Sequence, residues 1–336
     1  MDIPEGYDKF LNVMENITEV STGIKAQKQE ILRHLVTAKG SGNPKKLYHY
    51  TSFAGVGGII NSNHLWATDF RFLNDESELI YGTGLLSQEL VVFGKTLSAL
   101  EASFLNRLSG YFSEHQKAYR NFLETYIISL TEAPDVLSQW RAYADSGKGH
   151  CLEFDFSDSS LFTIICSETP WAMEILPVIY DENHQKSLIR TGIKQLIKYL
   201  NSTEWTLERI SQATETEQGV FMGLLMHAFD PFVTAFKHPG FAEEREWRAI
   251  VACANNLTGG RRKNRTTAYG ESYYLECIFI QGDEHKLWQR KHLPITEIKH
   301  GPLAGKELNE KLRHHLDVSG YGNIVNYTKS GIPLRA

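Results

Sequence analysis

Four cysteines in 336 residues, none of them in a CxxC pair, exclude a disulfide framework and a zinc ribbon. Cys151, Cys166, Cys253 and Cys277 are far apart, as thiols in a reducing cytoplasm would be. Long apolar runs are missing too. The nearest, 220–236, is broken by His227, Asp230 and Pro231 and falls short of the ~20 residues that a membrane span needs. It reads as a buried helix ending near Pro231. The opening MDIPEGYDKF has neither the basic start nor the apolar core of a signal peptide. These absences predict a soluble, cytoplasmic chain with no membrane partner. The net charge of −5 gives no global basic field, so any nucleic-acid contact would be local.

Several catalytic signatures are missing as well. The glycines of Gly55-Val56-Gly57-Gly58 do not have GxGxxG spacing. The segment 301–306 (GPLAGK) is one residue short of a phosphate-binding loop and is followed by Glu307 rather than Ser or Thr. There is no HExxH, no GxSxG and no Cys/His pair at ligand spacing, so no metal is expected.

What remains is 42% hydrophobic and 22% charged, a globular composition. The length fits one large domain with insertions, or two domains. Residues 9–38 carry Phe10, Val13, Ile17, Ile24, Ile31, Leu32 and Leu35 at helical spacing, and the breaker 40–44 (GSGNP) follows. This predicts a helical N-terminal extension over 1–44 and a main domain over 45–336, with a helical insertion at about 182–232. Helical patterning recurs over 76–126 and 305–317. Strands are predicted at 126–130, 150–156, 175–180, 246–252, 273–280 and 295–299. Asp135 is predicted to cap a short helix holding Leu137, Trp140 and Tyr143. A tight turn at 145–149 leads into the second of these strands. Short strands scattered among helices favour an α+β fold.

Three separated elements could carry chemistry. The first is His49 with Tyr50, Thr51 and Ser52, followed by LWAT and the acidic FLNDESE. The second is SQWRAY at 138–143 with the turn that follows it. The third is FKHPGFAEEREWR at 236–248. In a strand starting near Glu244, the residues Glu244, Glu246 and Arg248 would share one face. Buried, such a row must pair internally. Otherwise it is a solvated strand end, or a carboxylate held near a reacting centre with Arg248 fixing it. Arg261-Arg262-Lys263-Asn264-Arg265 puts four cations in five residues. It is either a solvated hairpin loop or a flexible basic loop that meets phosphates.

The segments YHYTS, LWAT, FLNDESE, SLTEAPDVLSQWRAYADSGKGHCLEFD and FKHPGFAEEREWR resemble the bacterial domain-of-unknown-function family numbered 2971, over roughly 46–302. At a further remove, the order His, Tyr, Glu is similar to the ADP-ribosyltransferase superfamily, including its DNA-modifying toxins and the tRNA 2′-phosphotransferases. That resemblance implies a split β-sheet core and NAD as co-substrate. It implies an oxocarbenium-like transition state stabilised by a carboxylate, with Glu246 the first choice and Glu244 the second. His49 would bond the ribose, and Tyr143 or Tyr50 would stack on nicotinamide, core packing being the alternative for Tyr143. Arg141 or Lys148 would meet the diphosphate, and Thr51 and Thr68 the ribose or adenine. Arg261, Arg262, Lys263 and Arg265 would serve a nucleic-acid acceptor, RNA or DNA. Such a protein would be a bacterial toxin or anti-phage effector with an antitoxin or other inhibitory partner, for which the N-terminal helices offer a surface. Two rivals are an NAD glycohydrolase and a non-catalytic module that binds a nucleotide or a phage component.

Overall fold

A computed structural model describes residues 18–38, 45–72, 77–114, 123–157, 163–164, 171–172, 174–254, 262–267, 270–277, 279–281, 288–289, 292–323 and 325–334. The predicted linker 40–44, the acidic residues 74–76 and Arg261 lie outside them, as do residues 9–17 of the first helix.

In chain order the elements begin α1 (Thr18–Ala38), β1 (Lys46–Thr51), α2 (Phe53–Ser62), β2 (Leu65–Asp69), α3 (Ser77–Gly94) and α4 (Ala99–Glu114). Next come β3 (Leu123–Thr131), α5 (Leu137–Tyr143), β4 (His150–Asp155), β5 (Thr163–Ile164), β6 (Trp171–Ala172) and β7 (Glu174–Pro177). Three helices follow, α6 (Glu182–Leu200), α7 (Leu207–Gln212) and α8 (Glu215–Ala235). The last elements are β8 (Glu246–Ala254), β9 (Lys263–Thr267), β10 (Gly270–Cys277), β11 (Phe279–Gln281), β12 (Trp288–Gln289), β13 (Ile295–His300), α9 (Lys306–Val318) and β14 (Asn326–Lys329). The fold is α+β. Among the described residues no helix is long and apolar enough to cross a membrane.

Contacts divide the chain into two units, and one gathers residues 1–40, 75–122 and 179–241. The N-terminal helix and the insertion are thus not separate appendages. They share a core with the helices of 75–122. Apolar residues at helical spacing explain this: Ile24, Ile31 and Leu35 of α1, Ile189 and Ile193 of α6, and Phe221, Phe229 and Phe232 of α8 are all buried. Helix α8 starts at a capping box formed by Thr214 and Glu217. It does not end near Pro231, as its sequence predicts, but runs through to Ala235. Proline removes one N–H, and the unbroken buried run 228–235 outweighs that loss.

Within α8, burial raises the Asp230 carboxyl to about 8, and burial likewise lowers His227 to about 4. Asp230 Oδ2 and His227 Nδ1 share a hydrogen bond of 2.6 Å. A carboxyl that ionises at 3.8 when unfolded and near 8 when folded contributes stability below pH 3.8 that is lost as pH rises through 8. Asp230→Asn keeps a donor to His227 and removes the titration. The variant is expected to match the wild type in melting temperature at pH 4 and to exceed it by several degrees at pH 9, a difference read by thermal scans at the two pH values.

The other unit gathers residues 41–74, 123–178 and 242–336. Its main sheet runs β14-β13-β4-β1-β3-β2-β10-β9, with β8 paired to β3 and β7 paired to β8. β13 and β14 are parallel; the other pairs are antiparallel. One face is apolar because alternate residues point to it: Leu47, Tyr126, Ile128, Leu130, Leu152, Phe154, Trp247 and Val251. Helix α2 covers this face with Val56, Ile59 and Ile60, and α9 with Leu312 and Leu316. The opposite face carries Glu246, Arg248 and Thr68. A second, four-stranded sheet, β12-β11-β5-β6, completes the unit.

Two local expectations need correction. The cap of α5 is Val136, with no side-chain hydrogen bond, rather than Asp135. Asp135 instead accepts from Trp140 Nε1 at 2.6 Å, Ser330 Oγ at 2.7 Å and the Gly331 N–H at 2.8 Å, tying α5 to the chain beyond β14. The predicted basic loop is not a loop at residues 263–267. These form β9, paired with β10 from Lys263↔Tyr274 to Thr267↔Gly270.

Candidate functional site

Strand β3 is bordered differently on its two edges. One edge pairs with β8 along its whole length, from Leu123↔Ala254 to Thr131↔Glu246. The other is shared, with β1 meeting it at Tyr48↔Thr131 and β2 at Thr68↔Ile127 and Asp69↔Tyr126. Ser129 lies in the interval between these two partners. Its carbonyl accepts from His49 Nδ1 at 3.0 Å. A carbonyl can only accept, so Nδ1 carries the proton and the neutral ring presents Nε2 as an acceptor. Burial holds the His49 pKa below its ordinary value. The Ser129 bond opposes that shift, and the nearby Arg265 cation adds to it. His49 is therefore a neutral, fixed-tautomer imidazole near pH 7.

On β9 and β2, Arg265 Nη2 donates to Thr68 Oγ1 at 3.1 Å. The structure thus brings together two residues singled out in the sequence, Thr68 and Arg265, and the Arg265 cation acts on His49 through its charge. Arg262 and Lys263, read as loop cations, are engaged within the fold. Arg262 stacks on the Tyr273 ring at 3.8 Å, and Lys263 pairs with Glu276 at 2.6 Å.

A second group sits where β8 begins. Arg248 Nε donates to Glu246 Oε1 at 2.9 Å and Nη2 to Oε2 at 3.0 Å, a two-pronged fork. Arg248 is 1% exposed and Glu246 6% exposed, so the pair is buried. The guanidinium lies 5.8 Å from the Phe70 ring centre. Glu244 departs from the expected row. The strand begins at Glu246, and Arg245 has φ +44, a left-handed conformation that is uncommon outside glycine. This turn takes Glu244 off the strand and towards α5. There its carboxylate accepts from Tyr143 Oη at 2.9 Å, and its carbonyl accepts from Thr131 Oγ1 at 2.7 Å. Tyr143 is exposed rather than packed in the core.

The remaining candidates stand apart. Tyr50 is buried edge-on to Trp140, and its hydroxyl donates to the Ala133 carbonyl and accepts from the Val136 N–H. A ring held that way is a packing group, not a platform for nicotinamide. Thr51 lies opposite His150 at the end of β1. Arg141 and Lys148 are exposed, Lys148 just after a turn in which Asp145, Ser146 and Gly147 all have positive φ. Gly149 closes that turn, and a Cβ there would lie 2.3 Å from the Thr51 carbonyl oxygen. Among the described residues no cluster of metal-ligating side chains could hold an ion.

Three groups next to these residues escaped the sequence reading. Ser129 matters through its backbone, which no residue type announces. Trp66 and Tyr274 were visible only as strand alternation in LWATD and GESYYLEC.

The span from α5 to β8 holds Tyr143, Glu244, Glu246 and Arg248. Residues 139–249 match the family model Protein of unknown function (DUF2971). No curated protein and no solved structure matches the chain. The DUF2971 match is shorter than the 46–302 resemblance of the motifs. It takes in the carboxylate group but not His49, Thr68 or Arg265.

Proposed function

We propose that the chain is an ADP-ribosyltransferase that moves ADP-ribose from NAD to a macromolecule, as a bacterial toxin or anti-phage effector. The observation that carries this reading is His49. It is neutral, held in one tautomer by Ser129, and offers Nε2 as an acceptor for a ribose hydroxyl. In the reaction the bond between ribose C1′ and the nicotinamide nitrogen breaks, and its electron pair leaves with nicotinamide. The acceptor's lone pair then forms the new bond to C1′, and its proton passes to a carboxylate.

Glu244 is the better carboxylate for that proton, because Glu246 already receives both prongs of Arg248. Glu246 then acts by fixing the start of β8, and Tyr143 by orienting Glu244. Thr68, whose Oγ1 accepts from Arg265, is suited to a ribose hydroxyl of NAD.

The test is incubation of the purified chain with adenylate-labelled NAD and total RNA, DNA and protein, beside Glu244→Gln. Label in one polymer that falls about a hundredfold or more in the variant supports transfer and names the acceptor. Free ADP-ribose alone would replace transfer with hydrolysis. No loss of NAD under any condition would sink the enzymatic reading and leave a nucleotide-binding module.

A further inference from the structure

The outer strands of the main sheet carry a face that the chemistry above does not use in full. Register places Thr68, Tyr274 and Lys263 in one cross-strand row and Ser272 opposite Arg265 in the next. Trp66, two residues before Thr68 on β2, shares that face. It is 39% exposed and stacks on Tyr274 with ring centres 4.4 Å apart and planes at 26°. The Arg265 guanidinium lies 5.4 Å from the Trp66 ring and 5.7 Å from the Tyr274 ring.

Among the described residues, two polar atoms in this layer have no partner, Arg265 Nε and Ser272 Oγ. Ser272 is only 2% exposed, so its hydroxyl is withheld from bulk water. Buried polar groups are normally satisfied, and orphans call for an explanation. Cross-strand neighbours on one face are close enough to share one small acceptor. An arginine N–H and a serine O–H on paired residues of one face suit an oxyanion, and the aromatic pair next to them suits a planar base.

We propose that this face of β2, β10 and β9 binds a single-stranded nucleic acid, with a phosphate on Arg265 and Ser272 and a base stacked on Trp66. The inference rests on the transferase reading and names its acceptor as a single strand: β2, which would carry it, borders β3 next to β1, the strand of His49. A strand fits better than a mononucleotide. Lys263 follows Arg265 at the two-residue repeat of about 6.6–6.8 Å, giving a second cation along the same line. Its pairing with Glu276 is exposed and exchanges readily for a phosphate. A duplex is disfavoured, because stacking on Trp66 requires an unpaired base.

The experiment measures fluorescence anisotropy of labelled uridine and thymidine homo-oligomers with the full chain, without NAD, at two salt concentrations. Binding should weaken as salt rises and should quench tryptophan fluorescence. Trp66→Ala should weaken binding about tenfold or more. Ser272→Ala removes a hydroxyl that bonds nothing among the described residues. It should weaken binding severalfold while leaving the melting temperature unchanged, which guards against an unfolded Trp66 variant. No binding by the wild type, or equal binding by both variants, would overturn the proposal. NAD that displaces the oligomer and quenches Trp66 would also overturn it, giving these donors to the dinucleotide. Oligomer binding that persists where NAD turnover is absent would uphold the strand site and remove only the transferase.

Discussion

Arg248→Met is expected to destabilise the sheet-bearing unit by about 3–5 kcal/mol, the range for breaking a buried ion pair from one side. Arg248 and Glu246 are among the most buried charged groups of the sheet, and each binds the other through two contacts of 2.9 and 3.0 Å. Methionine matches the stem of arginine in volume, so most of the loss comes from a carboxylate left buried without its fork. Glu246→Gln should also cost stability, because a neutral amide accepts the two prongs of the guanidinium more weakly than a carboxylate does. The double variant should recover a large part of the loss, because two neutral side chains of similar size leave no buried ion. Chemical denaturation followed by circular dichroism reads all three. A loss below about 1 kcal/mol for Arg248→Met would place the pair with solvated surface bridges instead. This result also decides how the chemistry is tested. Glu246→Gln would lose activity and fold together, whereas Glu244→Gln alters a carboxylate outside the strand.

The same pair shows what was legible in the sequence. The alternation in EWRAIVA marks β8 and puts Glu246 and Arg248 on one face, because a strand's period is fixed by its backbone. It could not show that Glu244 leaves the row, since Arg245 adopts its left-handed turn to meet Thr131 and Glu132, which lie over a hundred residues away in sequence. The strand at 263–267 was hidden for a related reason. Its residues KNRTT look like loop chemistry, and they pair only because Tyr273, Tyr274 and Trp66 provide rings for the cations to cover. Asp135 has the residue type of a helix cap, but Ser330 and Gly331 claim it from the far end of the chain. Local patterns set the elements; long-range partners decided what the polar side chains do. His49 combines both. Its strand is evident from the sequence, while its tautomer depends on a carbonyl left between two diverging neighbours.

That dependence gives the sharpest functional expectation. His49→Asn keeps an amide N–H where Nδ1 stands, so the bond to the Ser129 carbonyl survives, and it deletes Nε2. Under the transferase reading, NAD consumption should fall about a hundredfold or more, with little change in the denaturation midpoint. The pH profile separates this from a merely structural role. The folded pKa of His49 lies below the ordinary 6.5, because burial disfavours the charged ring. Activity that needs the neutral ring therefore has its acid limb centred below 6.5. Stability follows the same sign. A depressed histidine contributes fully above its unfolded pKa of 6.5, and that contribution is lost as pH falls towards the folded value. The Asn variant should lose the acid limb of activity and the share of the stability limb that His49 contributes, while His227 and His150 keep theirs. An acid limb in the wild type centred at or above 6.5, or a variant as active as the wild type, would take His49 out of the reaction and return it to the sheet as a bridge between β1 and β3.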